Sequence, residues 1–316
     1  MIFALAGMLS RLFYLVEKGK MLYTKNCVNR RMRVVIIKEA ALVIEDFSAL
    51  GQISMVAALT VLQSMDYTTA SLPTTVLSTQ TECFGDPQRL STNQWIKNSV
   101  DHWQLIPDLD FKGALIGYIG HQSLIPLIQE ILLAKLGNRP VIVDPVMGDE
   151  GKLYPGLNNN YLKAMQQLCQ HATVLTPNWT ELCLLANQPV SLKPTEKNVQ
   201  RLLSILQSNK IDAQVVITGI TKGSEIGCLF RSREEGLEFI GNRRLHGHFY
   251  GTGDTFAALL LGLLLTDCSL TTAVRTATQL LAVAVNETAQ EEPFTNRKYG
   301  LRLGQLVKQL VTTDDK

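Results

Sequence analysis

The sequence of 316 residues lacks several features that would place it in a common class of protein. Its six cysteines are widely scattered and include no C-x-x-C pair, which excludes a compact zinc site or a small disulfide scaffold and predicts reduced thiols in a cytoplasm. No run of 18 uninterrupted apolar residues occurs, so we expect no membrane span and no membrane partner. A Walker sequence and a complete G-x-G-x-x-G are both missing, which excludes the two common glycine-rich phosphate loops.

Charged residues make up only 18% of the chain, and they are unevenly distributed. Residues 1–31 carry six basic side chains and one acidic side chain, whereas the net charge of the whole chain is +2, so the remaining body is mildly acidic. A mildly acidic body argues against nucleic acid as the main partner. The apolar N-terminal segment does not match a signal peptide, because no basic region precedes its apolar stretch and Arg11 interrupts that stretch. We therefore interpret residues 1–31 as an appended N-terminal segment and residues 32–316 as a single domain.

Short apolar runs alternate with longer amphipathic runs from residue 41 onward. Runs such as VIVD, TVLT and VVIT are apolar without alternation, which is typical of parallel strands that are covered on both faces. The pattern predicts an α/β fold with a doubly wound, mostly parallel sheet and helices on both faces. Ligands bind such sheets beyond the carboxyl ends of the strands, so the residues that follow the strands are the candidates for chemistry.

The stretch HFYGTGDTFAALLLG places Gly251, Thr252, Gly253 and Asp254 immediately before an apolar helix. One interpretation is helix capping, because an acid suits the positive end of a helix. The other is that the glycines expose backbone N–H groups that hold an anion, with Asp254 beside them as a base. The stretch alone leaves both interpretations open.

Two further stretches carry acids at strand ends. VIVDPVMGDEGKLY places Asp144 and Asp149 after a strand, and such carboxylates suit Mg²⁺, although ordinary turns contain the same dipeptides. TVLTPNWTELCLLA places Asn178 and Glu181 three residues apart at a helix start, which favours a capping box. The functional alternative is that Thr176 and Asn178 face a nucleotide phosphate while Glu181 orients metal-bound water.

The stretch LVIEDFSALGQIS leaves Glu45 and Asp46 at another strand end, beside a loop of small residues. The functional interpretation is that these acids contact a polar substrate. The alternative is that they are solvated loop residues, and the stretch by itself is consistent with both.

DPVMGDEGKLY, LTPNWTE, VVITG and GTGDTFAALLLG, in this order and spacing, resemble the ribokinase-like superfamily and, within it, the pyridoxal kinases. The resemblance implies a ribokinase-like three-layer α/β/α fold and ATP-dependent phosphorylation of the 5′-hydroxymethyl group of pyridoxal, together with pyridoxine and pyridoxamine. It also implies Mg²⁺ as a cofactor, ATP as the phosphoryl donor and a cytoplasmic homodimer. A monovalent cation is a further candidate cofactor.

The resemblance also implies roles for individual residues of this chain. The implied catalytic residues are the general base Asp254 and an anion hole of Gly251, Thr252 and Gly253. The implied ATP-binding residues are Asp144, Thr176, Asn178 and Thr218. The implied metal residues are Asp144, Asp149 and Glu181. The implied substrate-binding residues are Asp46, Thr81 and Tyr118.

The chain departs from the resembled family in the loop STQTECF, where relatives tend to read Ser-Asn-His-Thr-Gly after the second strand. This loop is expected near the substrate, so the choice of vitamer stays open. A hydroxymethylpyrimidine or phosphomethylpyrimidine kinase of thiamine synthesis shares the fold and the base, although MGDEGKLY favours a pyridoxal kinase. A non-catalytic regulator that binds nucleotide or pyridoxal is the alternative from another class, and the intact GTGD sequence argues against it.

Overall fold

The computed structural model describes residues 40–106, 109–232, 236–290 and 294–313. The segment predicted to be appended, 1–31, lies outside these ranges. Within them the chain forms a nine-stranded sheet, a two-stranded hairpin and helices on both faces of the sheet.

The secondary structure alternates between strands and helices along most of the chain. The strands are β1 (Ala40–Ser48), β2 (Thr69–Leu77), β3 (Arg89–Ser91), β4 (Phe111–Ile116), β5 (Val141–Val143), β6 (Gly148–Asp149), β7 (Lys152–Leu153), β8 (Val174–Leu175), β9 (Gln214–Lys222), β10 (Glu225–Ser232) and β11 (Gly236–Arg243). The helices are α1 (Met55–Ser64), α2 (Asn93–Gln104), α3 (Ile125–Lys135), α4 (Asn159–Cys169), α5 (Trp179–Leu185), α6 (Glu196–Ser208), α7 (Thr252–Leu264), α8 (Leu270–Ala289) and α9 (Gly304–Thr313).

The order of the strands creates a crevice in the sheet. The nine strands lie in the order β11-β10-β9-β8-β5-β4-β1-β2-β3. The strands from β9 to β2 are mutually parallel, while β10 and β11 at one edge and β3 at the other run antiparallel to their neighbours. Because the chain adds β2 on one side of β1 and β4 on the other, the strand order reverses between β1 and β4. Ligands bind beyond the carboxyl ends of strands at such a switch point.

Two apolar clusters cover the two faces of the sheet. Helices α2 to α6 pack on one face, and α1, α7, α8 and α9 pack on the other. Side chains alternate along β1, so Leu42 and Ile44 join the first cluster whereas Ala41 and Val43 join the second. This burial on both faces explains why the strands read as continuous apolar runs in the sequence.

Helix α7 lies close against the centre of the sheet because Gly113 of β4 has no side chain. A Cβ at Gly113 would lie 2.6 Å from the carbonyl oxygen of Pro140 and 2.9 Å from Cδ2 of Leu265, just after α7. Larger residues would therefore push this part of the chain away from the sheet. The close packing fixes the direction in which the first turn of α7 points.

The apolar pattern predicts neither β3, the β6–β7 hairpin nor α9. Strands β3, β6 and β7 include exposed residues and lack a continuous apolar run, so the pattern does not reveal them. In the part of the chain that the structure describes, no helix is both long and apolar enough to cross a membrane.

Two substitutions on α3 test the assignment of its buried side. Ile128 is fully buried, whereas Leu133 is 69% exposed. We expect Ile128→Ala to lower the free energy of unfolding by about 2–5 kcal/mol, because it leaves a cavity in the core. The matched control Leu133→Ala should change it by about 0.5 kcal/mol or less. Chemical denaturation measures both values, and equal losses would contradict the packing of α3.

Candidate active site

The first turn of α7 forms the centre of the candidate site. Gly251 precedes the helix with φ 80° and ψ 10°, a left-handed conformation that glycine adopts readily. At Gly253 a Cβ would lie 3.5 Å from Oδ2 of Asp144, so the first turn faces that carboxylate. The first N–H groups of a helix have no acceptor within the helix, and they form the positive end of its dipole. The turn can therefore stabilise an anion beside Asp144.

Asp254 lies in this first turn and is held by the loop that follows β1. Its Oδ2 accepts a hydrogen bond from the backbone N–H of Ser54 at 2.7 Å. Ser54 precedes α1 with a φ of 48°, which is uncommon for a residue other than glycine. Burial raises the pKa of Asp254, and the Ser54 N–H partly opposes that rise. Sequence reasoning missed Ser54, because nothing local signals a contact across 200 residues.

Asp144 directly follows β5 and is buried. Its N–H donates to the carbonyl of Ile116 at 2.8 Å, which continues the pairing of β5 with β4. Burial, followed by the charges of Glu181 and Asp254, raises the pKa of Asp144 well above its usual range. Thr176, which follows β8 and whose N–H donates to the carbonyl of Val143 at 3.1 Å, opposes this rise. Asp144 and Thr176 thus meet at the carboxyl ends of adjacent strands.

The capping interpretation of Asn178 and Glu181 is observed in full. Asn178 Oδ1 accepts the N–H of Glu181 at 2.9 Å, and Glu181 Oε2 accepts the N–H of Asn178 at 2.9 Å. The other oxygen of Glu181 accepts the N–H of Met147 at 3.1 Å, while Asn178 Nδ2 donates to the carbonyl of Gly148 at 2.8 Å. A backbone bridge joins Asn178 to Thr218 of β9. The capping residues therefore also hold the loop after β5 and strand β9 in place beside the start of α5.

The three predicted metal residues do not form a preassembled cage. Asp149 is exposed in the β6–β7 hairpin, and its Oδ1 accepts the N–H of Glu150 at 2.7 Å. Glu181 is occupied by backbone N–H groups, which leaves Asp144 as the buried acid that faces α7. Among the residues described here, no group of three or more His, Cys, Asp or Glu side chains is placed to hold a metal ion.

The predicted substrate residues lie near the end of β1. Asp46 is buried, and its Oδ2 accepts a hydrogen bond from the Ser48 hydroxyl at 3.1 Å. Tyr118 follows β4 and is half-buried; burial raises its pKa, and the positive charge of Arg89 opposes the rise. The charge of Asp46 also raises the pKa of Tyr118. Thr81 is exposed on the loop after β2.

Two side-chain contacts hold the loop STQTECF, in which the chain departs from the resembled family. The Nε2 of Gln80 donates to the carbonyl of Lys298, and Sγ of Cys83 lies 3.0 Å from the hydroxyl of Tyr250. These contacts join the loop to the C-terminal segment and to the residues immediately before Gly251. Neither contact could be predicted from the sequence, because they join residues that are 218 and 167 positions apart.

Comparison with known proteins identifies the family. The profile of the family described as phosphomethylpyrimidine kinase matches residues 55–297, which include α1, the loop after β5, the capped helix α5 and the first turn of α7. The chain belongs to this family. Its solved relatives include proteins named pyridoxal kinase, so the predicted ribokinase-like fold and the predicted relationship to pyridoxal kinases are both confirmed.

Members and relatives of this family resemble the chain to different extents. The pyridoxal kinase of Lactobacillus plantarum is 38% identical, with 88% of this chain and 98% of that chain covered and a TM-score of 0.81. A candidate phosphomethylpyrimidine kinase of Bacteroides thetaiotaomicron, in a crystal form with pyridoxal, is 26% identical over 86% of this chain and 96% of its own, with a TM-score of 0.78. The pyridoxal kinase of Arabidopsis thaliana is 34% identical over 164 residues, 49% of this chain and 51% of the relative. The chain spans about half the length of the curated relatives it matches.

The buried acids predict a particular dependence of stability on pH. Burial raises the pKa of Asp46 from 3.8 to about 7 and that of Glu181 from 4.5 to about 8. A raised pKa in the folded state stabilises the protein fully below the unfolded-state value, and the contribution is lost as the pH rises through the folded-state value. We therefore expect the free energy of unfolding of the ligand-free protein to fall as the pH rises from about 5 to about 8. Denaturation at fixed pH values measures this slope.

Asp46→Asn should remove the part of this slope that lies between the two pKa values of Asp46, 3.8 and about 7. Asp212→Asn, which replaces an exposed acid in the loop before β9, is the matched control and should keep the slope. The raised pKa values of the buried carboxyls would be contradicted if stability rose with pH across this window. They would also be contradicted if the Asp46 variant kept the wild-type slope.

Proposed function

We propose that the protein transfers the γ-phosphoryl group of ATP to the 5′-hydroxymethyl group of pyridoxal, and of pyridoxine and pyridoxamine. The observation that carries this proposal is the position of Asp254, which lies in the first turn of α7 and whose charge acts on the buried Asp144 and Asp46. A base, an anion-binding turn and an acid for the donor side thus meet at one switch point. The 38% identity to the Lactobacillus plantarum pyridoxal kinase and the pyridoxal form of the Bacteroides thetaiotaomicron relative support the same substrate.

Asp254 is the proposed general base. A neutral primary alcohol is a weak nucleophile, so a base that removes its proton in the transition state accelerates attack. The acceptor oxygen forms a bond to the γ-phosphorus as the bond from that phosphorus to the ADP oxygen breaks, and the proton moves to Asp254. Burial raises the pKa of Asp254 and makes its carboxylate a stronger base, while the Ser54 N–H orients it.

The backbone of Gly251, Thr252 and Gly253 is the proposed anion hole. Its N–H groups point to where negative charge develops on the transferred phosphoryl group, and the helix dipole adds positive potential. Such stabilisation needs no reorganisation during the reaction, because the turn is already fixed by the left-handed Gly251.

The ends of β5, β8 and β9 form the proposed ATP side. The N–H of Thr176 donates to the carbonyl of Val143 at 3.1 Å, and a backbone bridge joins Asn178 to Thr218, so the three residues lie on neighbouring strands there. The residues fit Mg²⁺, since this ion takes one or two carboxylates and keeps its other positions for water and phosphate. Asp144 would hold it, with Asp149 and Glu181 acting through water, and the bound ion would neutralise phosphate charge.

Asp46, Thr81 and Tyr118 form the proposed acceptor side. The ring of Tyr118 offers an aromatic face to a heterocycle, and Asp46 offers a buried carboxyl close to it. The loop that contains Gln80 and Thr81 follows β2, which is the neighbour of β1 in the sheet, and it would contribute to the choice of vitamer.

A second candidate is phosphorylation of a hydroxymethylpyrimidine, which the description of the matched family favours. The same base and anion hole would serve that acceptor, because it also presents a primary alcohol on a heterocycle. The alternative of a non-catalytic regulator is less consistent with the site, because Asp254 and the glycines beside it are intact.

The resemblance also leads us to propose a homodimer in the cytoplasm, a single kinase domain over residues 32–316, and a monovalent cation that assists ATP binding. Light scattering tests the homodimer, and ATP turnover in buffers of different monovalent salts tests the requirement for a monovalent cation.

The choice of acceptor is tested with purified protein, ATP and Mg²⁺. We expect ADP to form with pyridoxal, pyridoxine and pyridoxamine faster than with hydroxymethylpyrimidine. Preference for the pyrimidine would assign the second candidate function. ADP production with none of the four acceptors would exclude both kinase functions.

The role of Asp254 is tested by Asp254→Asn. This change removes the base while keeping the size of the side chain, so kcat should fall by a factor of about 10²–10⁴. ATP binding, measured by calorimetry, should survive. The matched control Asp267→Asn replaces an exposed acid beyond the other end of α7 and should leave kcat unchanged. Near-normal turnover of the Asp254 variant would remove this residue from the mechanism.

A further inference from the structure

Glu45 occupies the switch point between β1 and β4. It follows Ala41 and Val43 along β1 on the face that α1 and α7 cover, and only 1% of it is exposed. The carboxylate stands against the backbone of Gly117, just after β4, where a Cβ would overlap Oε2. The glycine therefore makes the room that this side chain needs. A glutamate in this position is packed into the sheet and is not a solvated loop residue.

The carboxyl of Glu45 differs from the other buried acids of the site in its hydrogen bonding. Its Oε1 is buried and has no hydrogen-bond partner among the residues that the structure describes. By contrast, Asp254 accepts the N–H of Ser54, and both oxygens of Glu181 accept backbone N–H groups. Buried polar atoms are nearly always paired, so an unpaired one at a ligand crevice indicates a partner that arrives with the ligand.

The charged groups that act on Glu45 come from three elements. Asp254 at the start of α7 has the largest effect, followed by Asp46 of the same strand and Asp144 after β5. All three are carboxylates, and together with burial, which is the largest cause, they raise the pKa of Glu45 well above its usual value. A neutral carboxyl can both donate and accept a hydrogen bond. Glu45 is therefore suited to a polar, uncharged group placed beside Asp254.

We propose that Glu45 is a further acceptor-binding residue, whose unpaired oxygen forms a hydrogen bond with the alcohol-bearing heterocycle that Asp254 deprotonates. This inference rests on the proposed kinase function. It adds a second acid to the predicted acceptor residues and places it on the opposite face of β1 from Asp46, because adjacent side chains of a strand alternate. The heterocycle would then lie over the end of β1, between these two acids.

The inference is tested by replacing Glu45 with an apolar residue of similar length. Glu45→Met removes a buried carboxyl that lacks a partner in the ligand-free protein, so we expect the Tm to rise by about 2–4 °C. The same change removes the bond to the acceptor, so the KM for pyridoxal should rise on the order of tenfold while the KM for ATP stays unchanged. Glu45→Gln keeps both a donor and an acceptor, so its KM for pyridoxal should stay within about threefold of the wild type.

Glu45→Asp provides a second variant if the methionine variant fails to fold. It keeps the acid but withdraws the carboxyl by one methylene, so the KM for pyridoxal should again rise while that for ATP does not. Glu130→Met, at an exposed position on α3, is the control for the change of residue type and should alter neither KM. All rates are measured with the full chain, Mg²⁺ and ATP.

The outcomes separate this inference from the proposed function. If the wild type turns over pyridoxal but the methionine and aspartate variants keep the wild-type KM for it, Glu45 does not bind the acceptor and the kinase function stands. If the KM values for ATP and pyridoxal rise equally, Glu45 supports the fold of the whole site and the inference is wrong. If the wild type turns over neither pyridoxal nor hydroxymethylpyrimidine, the proposed function fails and the inference fails with it.

Discussion

The arrangement of the site depends on one hydrogen bond, from the N–H of Ser54 to the carboxylate of Asp254. It joins the loop after the first strand to the first turn of a helix 200 residues later. The left-handed Gly251 lets that turn approach the strand ends, and Gly253 faces Asp144 across the gap. Every role proposed for the anion hole, the base and the acid on the ATP side requires this approach.

The same approach concentrates carboxyl groups where water is largely excluded. Asp46, Asp144 and Asp254 all have raised pKa values, and burial is the largest cause for each. Taking charge out of water is unfavourable unless the groups are paired. On the proposed function, a phosphoryl donor with its cation and a polar acceptor would supply such pairing, and their binding would offset the cost of burying these acids.

Much of the fold could be predicted from the sequence because its signals are local. The apolar runs of β5, β8 and β9 indicated parallel strands, and the Asn178–Glu181 spacing indicated a capping box that is present in full. The contact from Ser54 to Asp254 could not be predicted, since it depends on how distant elements pack. Glu45 was recognised as a strand-end acid, but its burial follows from the strand order beside β4 and from Gly117, which the local pattern does not reveal. The strands β6 and β7 lie in a partly exposed hairpin without an apolar run, so no local pattern marks them.

The most direct test of this account is a crystal structure of the protein with ADP and pyridoxal bound. With Asp254 as the base, the 5′-hydroxyl oxygen should lie about 2.6–3.2 Å from a carboxylate oxygen of Asp254, within reach of the first-turn N–H groups of α7. A pyridoxal molecule whose hydroxyl points away from Asp254, or that binds outside the crevice between β1 and β4, would contradict it.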